Sequence, residues 1–499
     1  MSGTRRNIAA NVAGRVWGVA SFYLFVPIYL RLLGPEAYGV VGFFAVMVGV
    51  LAIADLGLTS TLSREMARLG SLEGGAVERR DLMRTLEFLY LGLALAVGAS
   101  MVLLAPAIAD GWLQEQTLPR AELIEALRLM GVVLALLLPA NFYFGGLLGL
   151  ERLVEANLLV FGWGLLRSGG AALALWLVSP SLRVFFVTVT VAGLIYLIAA
   201  RIACWRAVGS SAGTRFRGAL LARTWRYSAG IAALSALSAG LSQLDKVVVS
   251  RMLPLDTFAH YSLASTLAQV PVIVAAAIAT ALFPRLTALV AADSAVELRR
   301  LYHSGCQLVA VVALPLGLTL AAYAGEVLRF WTHSPATAGT AAAAGSLLLL
   351  GSTALALQLV PFQLALAFGW VGLNLRLATV SLLVVIPALW WLVARLGLVG
   401  AGWVWLGLNV LTTPVMIVWL HRRVLPGATR EWFVSDLGRP LIATLAVLAP
   451  ARLLVPVPAE PLAAFAMALA VGGVALAAAA WAAPAGRRWL RLRRLETTP

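Results

Sequence analysis

Residues 88–109 read FLYLGLALAVGASMVLLAPAIA and contain no charged side chain. Similar runs recur along the chain of 499 residues, of which 61% are hydrophobic and 12% are charged. A water-soluble protein of this length needs a charged surface that these residues do not supply. Apolar runs past twenty residues match a membrane-spanning α-helix, whereas barrel strands are alternating segments of about ten residues. The sequence therefore predicts an all-α integral membrane protein.

The apolar runs predict about fourteen transmembrane helices. The predicted spans cover residues 8–33, 38–63, 86–109, 123–149, 156–178, 184–205, 225–252, 258–290, 301–324, 339–368, 373–395, 398–420, 440–455 and 460–483. Several of them contain proline, which membrane helices tolerate where a neighbouring group or water satisfies the freed carbonyl.

The basic residues orient these spans. With both termini in the cytoplasm, 27 of the 38 lysines and arginines fall in cytoplasmic segments and 8 in external ones. The positive-inside rule predicts this asymmetry, and shifting the layout by one span reverses it. We therefore expect a multi-pass membrane protein with both termini cytoplasmic, and the bacterial inner membrane is the location that the family resemblance described below implies. The net charge of +16 then reflects topology and contact with anionic lipids, not nucleic-acid binding.

Short motifs recur about 220 residues apart. Residues 31–38 (RLLGPEAY) precede residues 251–258 (RMLPLDTF) by 220 positions, and both stretches join two long spans. Residues 139–141 (PAN) precede residues 361–363 (PFQ) by 222 positions, in the fourth and tenth spans. An offset of six spans keeps the same orientation, so the pattern predicts a parallel duplication.

The duplication predicts three parts of the chain. We expect one six-helix lobe over residues 1–209, a second over 210–425, and two further helices with a basic cytoplasmic tail over 426–499. The stretch 205–224 is rich in Arg, Gly and Ser, as a linker between lobes is. Two pseudo-symmetric six-helix lobes around a central cavity, plus two C-terminal helices, are the expected architecture of a transporter.

Several stretches resemble one protein family. Residues 27–39 (PIYLRLLGPEAYG), 55–58 (DLGL), 243–246 (QLDK) and 283–285 (FPR) look like the bacterial polysaccharide flippases, and the likeness covers about residues 5–425. These are the lipid-linked oligosaccharide translocases of the multidrug/oligosaccharidyl-lipid/polysaccharide (MOP) superfamily. The resemblance implies a V-shaped two-lobe fold and the export of an undecaprenyl-diphosphate-linked glycan.

The resemblance implies a transporter and not an enzyme. It would flip a lipid-linked oligosaccharide from the cytoplasmic to the outer leaflet by alternating access, for surface polysaccharide biosynthesis. An ion-coupled multidrug exporter and a peptidoglycan-precursor flippase of the same superfamily remain alternatives. A membrane glycan polymerase or ligase is disfavoured, because the longest external loop, about residues 110–122, is short and has no paired acid–base cluster.

We expect no cofactor, since the four histidines have no metal-ligand spacing and no phosphate loop is present. Coupling to H⁺, to Na⁺ or to the membrane potential is left open. The expected partners are the lipid-linked oligosaccharide and membrane lipids, without nucleic acid. A polysaccharide polymerase is a candidate partner, and we expect a monomer.

Ionisable residues inside predicted spans mark either functional sites or structural ion pairs. Arg167 lies near the middle of span five, and a guanidinium there can bind two oxygens of a pyrophosphate or acidic sugar; a structural ion pair is an equal alternative. Arg15 and Asp55 lie at similar depth in antiparallel spans one and two, which favours a structural pair over a phosphate or cation switch.

Span seven carries Ser235, Ser238, Ser242 and Asp245 at helical spacing, which favours the lining of a cavity over a plain helix contact. The interior charges, three basic and two acidic, favour an anionic substrate. The predicted substrate-binding residues are Arg15, Arg167, Ser242, Gln243, Lys246, Asn141 and Gln363, and the predicted ion-coupling or switch residues are Asp55 and Asp245.

Overall fold

The computed structural model describes residues 21, 23–72, 75–209 and 213–484. Within them, thirteen helical segments are long and apolar enough to cross a membrane. Each predicted span from the second to the fourteenth overlaps one of these segments, so the all-α membrane fold is confirmed. The first predicted span, residues 8–33, lies mostly outside the described residues, and its described end is the short apolar helix Tyr23–Leu33.

The described helices are named in chain order. Those of the first half are α1 (Tyr23–Leu33), α2 (Pro35–Ala54), α3 (Leu58–Gly70), α4 (Gly75–Gly111), α5 (Arg120–Gly149), α6 (Leu153–Gly164), α7 (Ala171–Leu177) and α8 (Leu182–Val208). Those of the second half are α9 (Gly218–Met252), α10 (Leu255–Ala268), α11 (Val270–Ala291), α12 (Ala295–Ala322), α13 (Ala324–Thr332), α14 (Pro335–Ala367), α15 (Val371–Leu396), α16 (Leu398–Val424), α17 (Ala428–Glu431), α18 (Arg439–Leu454) and α19 (Pro461–Ala482).

Three predicted spans are not the continuous α-helices that hydropathy implied. Span two breaks at Asp55–Gly57, between α2 and α3, and span eight breaks at Gln269, between α10 and α11. Span five contains a π-helical turn, Leu165–Gly170, between α6 and α7. Hydropathy indicates which residues lie in the membrane and carries no information on their dihedral angles. It therefore does not predict these interruptions.

The chain forms two compact units, Met1–Ala259 and His260–Pro499. In the first unit α5 is the central helix and packs against α3, α4 and α8. Glycines allow this close approach: a Cβ atom on Gly149 would lie 2.2 Å from the Ser63 carbonyl oxygen, and one on Gly145 would lie 2.5 Å from the Thr59 side chain. Small residues at helix crossings are typical of membrane bundles.

In the second unit α14 is central and packs against α11, α12 and α16. A Cβ atom on Gly351 would lie 2.6 Å from the Trp405 ring, so that crossing also requires a small residue. The C-terminal helices α18 and α19 pack against each other and against α12. The lobe boundaries predicted at 209/210 and 425/426 stay a prediction.

Helix α9, the predicted span seven, packs antiparallel along span two in the first unit. Positions nearer the N-terminus of span two contact positions nearer the C-terminus of α9. The contacts join Thr61 with Ser228, Gly57 with Ile231, Gly49 with Gln243, and Gly39 with Leu255.

The predicted linker is fixed to the start of α4. The Arg215 backbone N–H donates to Asp81 Oδ1 at 2.9 Å, and the Arg217 Nε lies 2.7 Å from Asp81 Oδ2. The Arg217 N–H also donates to Thr85 Oγ1 at 3.0 Å. This part of the linker is therefore bound to the first unit along residues 81–85.

Candidate functional site

Asp55 lies where span two breaks. Helix α2 ends at Ala54, and the chain turns through Leu56 (φ 51°) and Gly57 (φ 67°) before α3 begins. Asp55 Oδ1 accepts hydrogen bonds from Thr59 Oγ1 and Tyr90 OH, and Oδ2 accepts one from the Thr59 N–H at 3.4 Å. A half-buried carboxylate is therefore held in an interrupted membrane helix, an arrangement in which transporters place ion and substrate sites.

The three oxygen atoms Asp55 Oδ1, Thr59 Oγ1 and Tyr90 OH lie within hydrogen-bond distance of one another, and the two hydroxyls are 2.8 Å apart. Two hydroxyl protons make only two of the three possible hydrogen bonds. A third proton, on the carboxyl group, completes the ring. The three oxygens therefore form a polar cluster around one carboxylate, and oxygen atoms are the ligands that hard cations prefer.

Arg167 lies in the π-helical turn of span five. Such turns are rare in proteins overall, but those that occur often lie at functional sites. They leave backbone groups outside the regular hydrogen bonding of the α-helix. Tyr29 OH donates to the Ser168 carbonyl oxygen at 2.6 Å, next to the arginine. The Arg167 guanidinium lies 5.8 Å from the centre of the Trp163 ring, and within the described residues it makes no ion pair or hydrogen bond.

Lys246 is already paired. Its Nζ lies 3.3 Å from each carboxylate oxygen of Asp245 and 3.1 Å from the Ser242 carbonyl oxygen, to which it donates. The Asp245 side chain is buried, and Ser242 is exposed. The structure therefore brings three predicted residues of span seven together, with their side-chain charges cancelling.

The remaining predicted residues lie apart. Gln243 packs against α2, where a Cβ atom on Gly49 would lie 2.6 Å from its amide carbon. Asn141 is exposed on α5 and Gln363 is half-buried on α14, each two residues after a proline inside its helix. Arg15 lies outside the described residues, so its predicted pairing with Asp55 stays a prediction.

Sequence reasoning missed Glu87, at one end of span three. This carboxylate is 2% exposed. Its Oε1 accepts from Tyr143 OH at 2.5 Å, from Arg201 Nε at 3.0 Å and from Trp205 Nε1 at 3.2 Å, and its Oε2 accepts from Arg84 at 2.7 Å. An acid inside the predicted span 86–109 was a usable signal, since buried acids in membranes require partners.

A second missed cluster lies in the second unit. Asp436 is 1% exposed and accepts from Gln307 Nε2 at 2.8 Å, while its Oδ2 lies 2.5 Å from His303 Nδ1. The segment Trp432–Gly438 that carries it is a second π-helical turn. Asp436 precedes the predicted span 440–455, so a search restricted to predicted spans does not find it.

Comparisons with known proteins agree with this geometry. In sequence, the chain is 23% identical to the Shigella flexneri protein described as a "Putative O-antigen transporter", over 79% of this chain and 92% of that protein. In structure, it is similar to a multidrug resistance MATE family transporter of the MOP superfamily in an inward-facing conformation (TM-score 0.70, 14% identity, 83% of this chain and 96% of that one). It is equally similar to the lipid II flippase MurJ in an inward closed conformation (TM-score 0.70, 11% identity, 94% and 97%).

At these identities the structural likeness establishes the fold. The family evidence comes from sequence, because the family model described as "Polysaccharide biosynthesis protein" matches residues 5–290, more than half of the chain. The chain therefore belongs to the polysaccharide biosynthesis protein family, and it shares the multi-pass helical fold of transporters of the MOP superfamily.

Proposed function

We propose that this protein flips an undecaprenyl-diphosphate-linked oligosaccharide from the cytoplasmic to the outer leaflet of a bacterial inner membrane, for export of surface polysaccharide. The family and the Shigella flexneri relative support a carbohydrate-linked substrate. The observation that carries the proposal is Arg167, a guanidinium near the middle of a membrane span without an ion pair among the described residues. Such a group requires an anionic ligand or water.

In this proposal Arg167 binds the diphosphate. A guanidinium donates two parallel hydrogen bonds to phosphate oxygens, which fixes the orientation of the head group as well as its position. Its position in a π-helical turn supports this role, because such turns are frequent at functional sites. Alternating access then exposes the bound head group to one side of the membrane at a time, while the lipid tail stays in the bilayer.

Asp55 is the proposed coupling residue. Uptake of a proton by the ring of three oxygens changes the charge at the break in span two, where a change in backbone geometry moves α2 relative to α3. The membrane potential contributes as well. Moving one elementary charge through 100 mV is worth about 2.3 kcal/mol, so export of a diphosphate from a negative interior runs downhill.

The decisive experiment replaces Arg167 in a strain that lacks the native gene. Arg167→Ala should abolish transport at a normal protein level, and Arg167→Lys should restore only part of it because lysine lacks the bidentate fork. Arg395→Ala is the matched control, since Arg395 also lies over a tryptophan ring, at 5.7 Å, but near the end of its span. The assay measures lipid-linked oligosaccharide in each leaflet with a membrane-impermeant probe.

The proposal requires the oligosaccharide to accumulate on the cytoplasmic side and the surface glycan to be lost. An unchanged glycan with new drug sensitivity in the deletion strain would assign the chain to drug export. Loss of the Arg167→Ala protein itself would indicate a structural role for the arginine.

The orientation of the transporter has a separate test. The arginine distribution supports cytoplasmic termini. Reporter fusions at Gly213 and Thr497 should therefore report a cytoplasmic location, and a fusion at Gln116 an external one. An external signal at Thr497 would require an odd number of spans and would contradict the two-lobe arrangement.

A further inference from the structure

A polar cavity of about 280 Å³ opens in the second unit, between the start of α12 and the segment 428–438. Its donors come from both elements. Its polar wall includes Arg300, His303, Ser304, Ser435 and one carboxylate, Glu431. None of them belongs to the proposed transport site.

The charges in the wall are unequally paired. Arg299 lies 3.0 Å from Glu431 Oε2, and His303 and Gln307 contact Asp436, so both acids of the cluster have partners. Arg300 makes no ion pair within the described residues. The wall therefore presents one uncompensated guanidinium beside two hydroxyl groups, which suits a singly charged anion.

The imidazole ring of His303 is a further polar group in the cavity wall. Its side chain is more than nine-tenths buried and lines the cavity. Nδ1 contacts Asp436, whereas Nε2 has no hydrogen-bond partner in the described part of the chain; it lies 3.2 Å from Glu431 Oε2 without hydrogen-bond geometry. With Nδ1 donating to Asp436, the neutral ring presents Nε2 as an acceptor, which a hydroxyl group of a ligand can use.

The cavity lies at one face of the membrane. Two candidate spans, Ala295–Ala322 and Ala428–Leu454, begin beside it, and Pro484, just after the span Pro461–Ala482 ends, completes its wall. Val296, 79% exposed, lines the opening, and Val434, 54% exposed, is adjacent to Ser435. Polar donors next to exposed apolar side chains at a span end fit a ligand with a charged head and an apolar tail.

We propose that this cavity binds the phosphate headgroup of an anionic membrane phospholipid. The phosphate oxygens accept from the Arg300 guanidinium and from the Ser304 and Ser435 hydroxyls, a hydroxyl of the headgroup donates to His303 Nε2, and the acyl chains lie along Val296. The site lies in the unit that does not contain Asp55 or Arg167.

The test uses the purified full-length protein in neutral detergent and native mass spectrometry. Dioctanoyl-phosphatidylglycerol is titrated against dioctanoyl-phosphatidylcholine and against sodium phosphate. Arg300→Gln should weaken phosphatidylglycerol binding about tenfold, as expected for loss of one charge-assisted hydrogen bond. Ser304→Ala should weaken it less. Arg285→Gln is the matched control, since Arg285 is exposed on α11 and does not line the cavity.

Preference for phosphatidylglycerol that is lost in Arg300→Gln and kept in Arg285→Gln supports the site. Equal weakening by both variants would indicate general surface electrostatics and overturn the proposal. Sodium phosphate that binds as tightly as the lipid and displaces it would overturn the assignment to a lipid. Arg300 is exposed, so both variants should fold normally, which thermal unfolding verifies.

Discussion

Spans two and eight, six spans apart in the predicted repeat, both break, but with different chemistry. In span two the break runs through Asp55, Leu56 and Gly57, with two positive φ angles and a carboxylate. In span eight the break is Gln269 alone, in a right-handed helical conformation, followed by Pro271, which has no N–H to donate to the preceding turn. Both spans therefore have an irregular backbone at the break, but only the break in span two contains a charged side chain.

The buried acids of the two units also differ, in the charge of the groups that contact them. Glu87 in the first unit accepts from two arginines, which are charged at every physiological pH. Asp436 in the second unit faces His303, whose imidazole carries charge only when protonated, and the neutral Gln307. Glu87 therefore has two permanently charged partners, whereas the two groups that contact Asp436 are not permanently charged.

The largest expected effect is the loss of transport in Asp55→Asn. The amide still accepts from Thr59 and Tyr90 but cannot take up a proton or neutralise a cation. We expect glycan export to fall to the level of the deletion strain at a normal amount of membrane protein. Gln269→Leu, at the other break, should retain export. Near-normal export by Asp55→Asn would show that coupling lies elsewhere and remove the functional difference between the breaks.

Sequence alone predicted the parts of this picture that depend on composition. Apolar length located thirteen of the described spans. The rule that a buried charge requires a partner selected Asp55, Arg167 and the Asp245–Lys246 pair as special positions. These signals are local, since each is contained in one stretch of about twenty residues.

What the sequence did not predict depends on distant partners. Glu87 and Arg201 are 114 residues apart, and Tyr29 and Ser168 are 139 apart, with no local pattern that links them. Gln243 looked like part of a cavity wall because it borders a polar stripe. Its packing against Gly49 follows from the antiparallel contact of α9 with span two, which periodicity within α9 does not reveal.

The second prediction compares the two buried acids with matched amide substitutions. Glu87→Gln removes the charge that compensates Arg84 and Arg201 and sets an amide N–H₂ against guanidinium donors. We expect destabilisation of about 3 kcal/mol, the low end for a broken buried pair, because Arg201 is half-exposed. Asp436→Asn keeps one acceptor, for Gln307, and its N–H₂ can donate to Nδ1 of the neutral His303 ring in the other tautomer, so it should lose only about 1 kcal/mol. Thermal unfolding of the purified proteins ranks the two, and the reverse order would contradict the charge assignment.

The third prediction concerns the backbone of the first break. Gly57 has φ 67°, and a Cβ atom there would lie 2.7 Å from Ile231 and 2.8 Å from the Ser228 carbonyl oxygen. Gly57→Ala should therefore destabilise the protein by about 2 kcal/mol through strain and overpacking. Gly92→Ala is the control, since Gly92 is helical with open space around its Cβ position and should be neutral or slightly stabilised. Gln269→Ala, at the right-handed break, should also be tolerated.

The smallest expected effect tests how span seven is held against the first break. Thr61 Oγ1 lies 2.7 Å from Ser228 Oγ and also donates to the Gly57 carbonyl oxygen at 2.9 Å, so one hydroxyl bridges the break and α9. Thr61→Val keeps the side-chain volume and removes these hydrogen bonds. Interhelical hydrogen bonds in membranes average about 0.6 kcal/mol, so the loss in thermal unfolding should be well below that of Gly57→Ala. If Thr61→Val instead destabilised as strongly as Gly57→Ala, the break in span two would be held by its polar contact with α9 and not by steric fit. The breaks in spans two and eight would then differ mainly in their side-chain partners. The positive φ of Gly57 would be a consequence of those contacts.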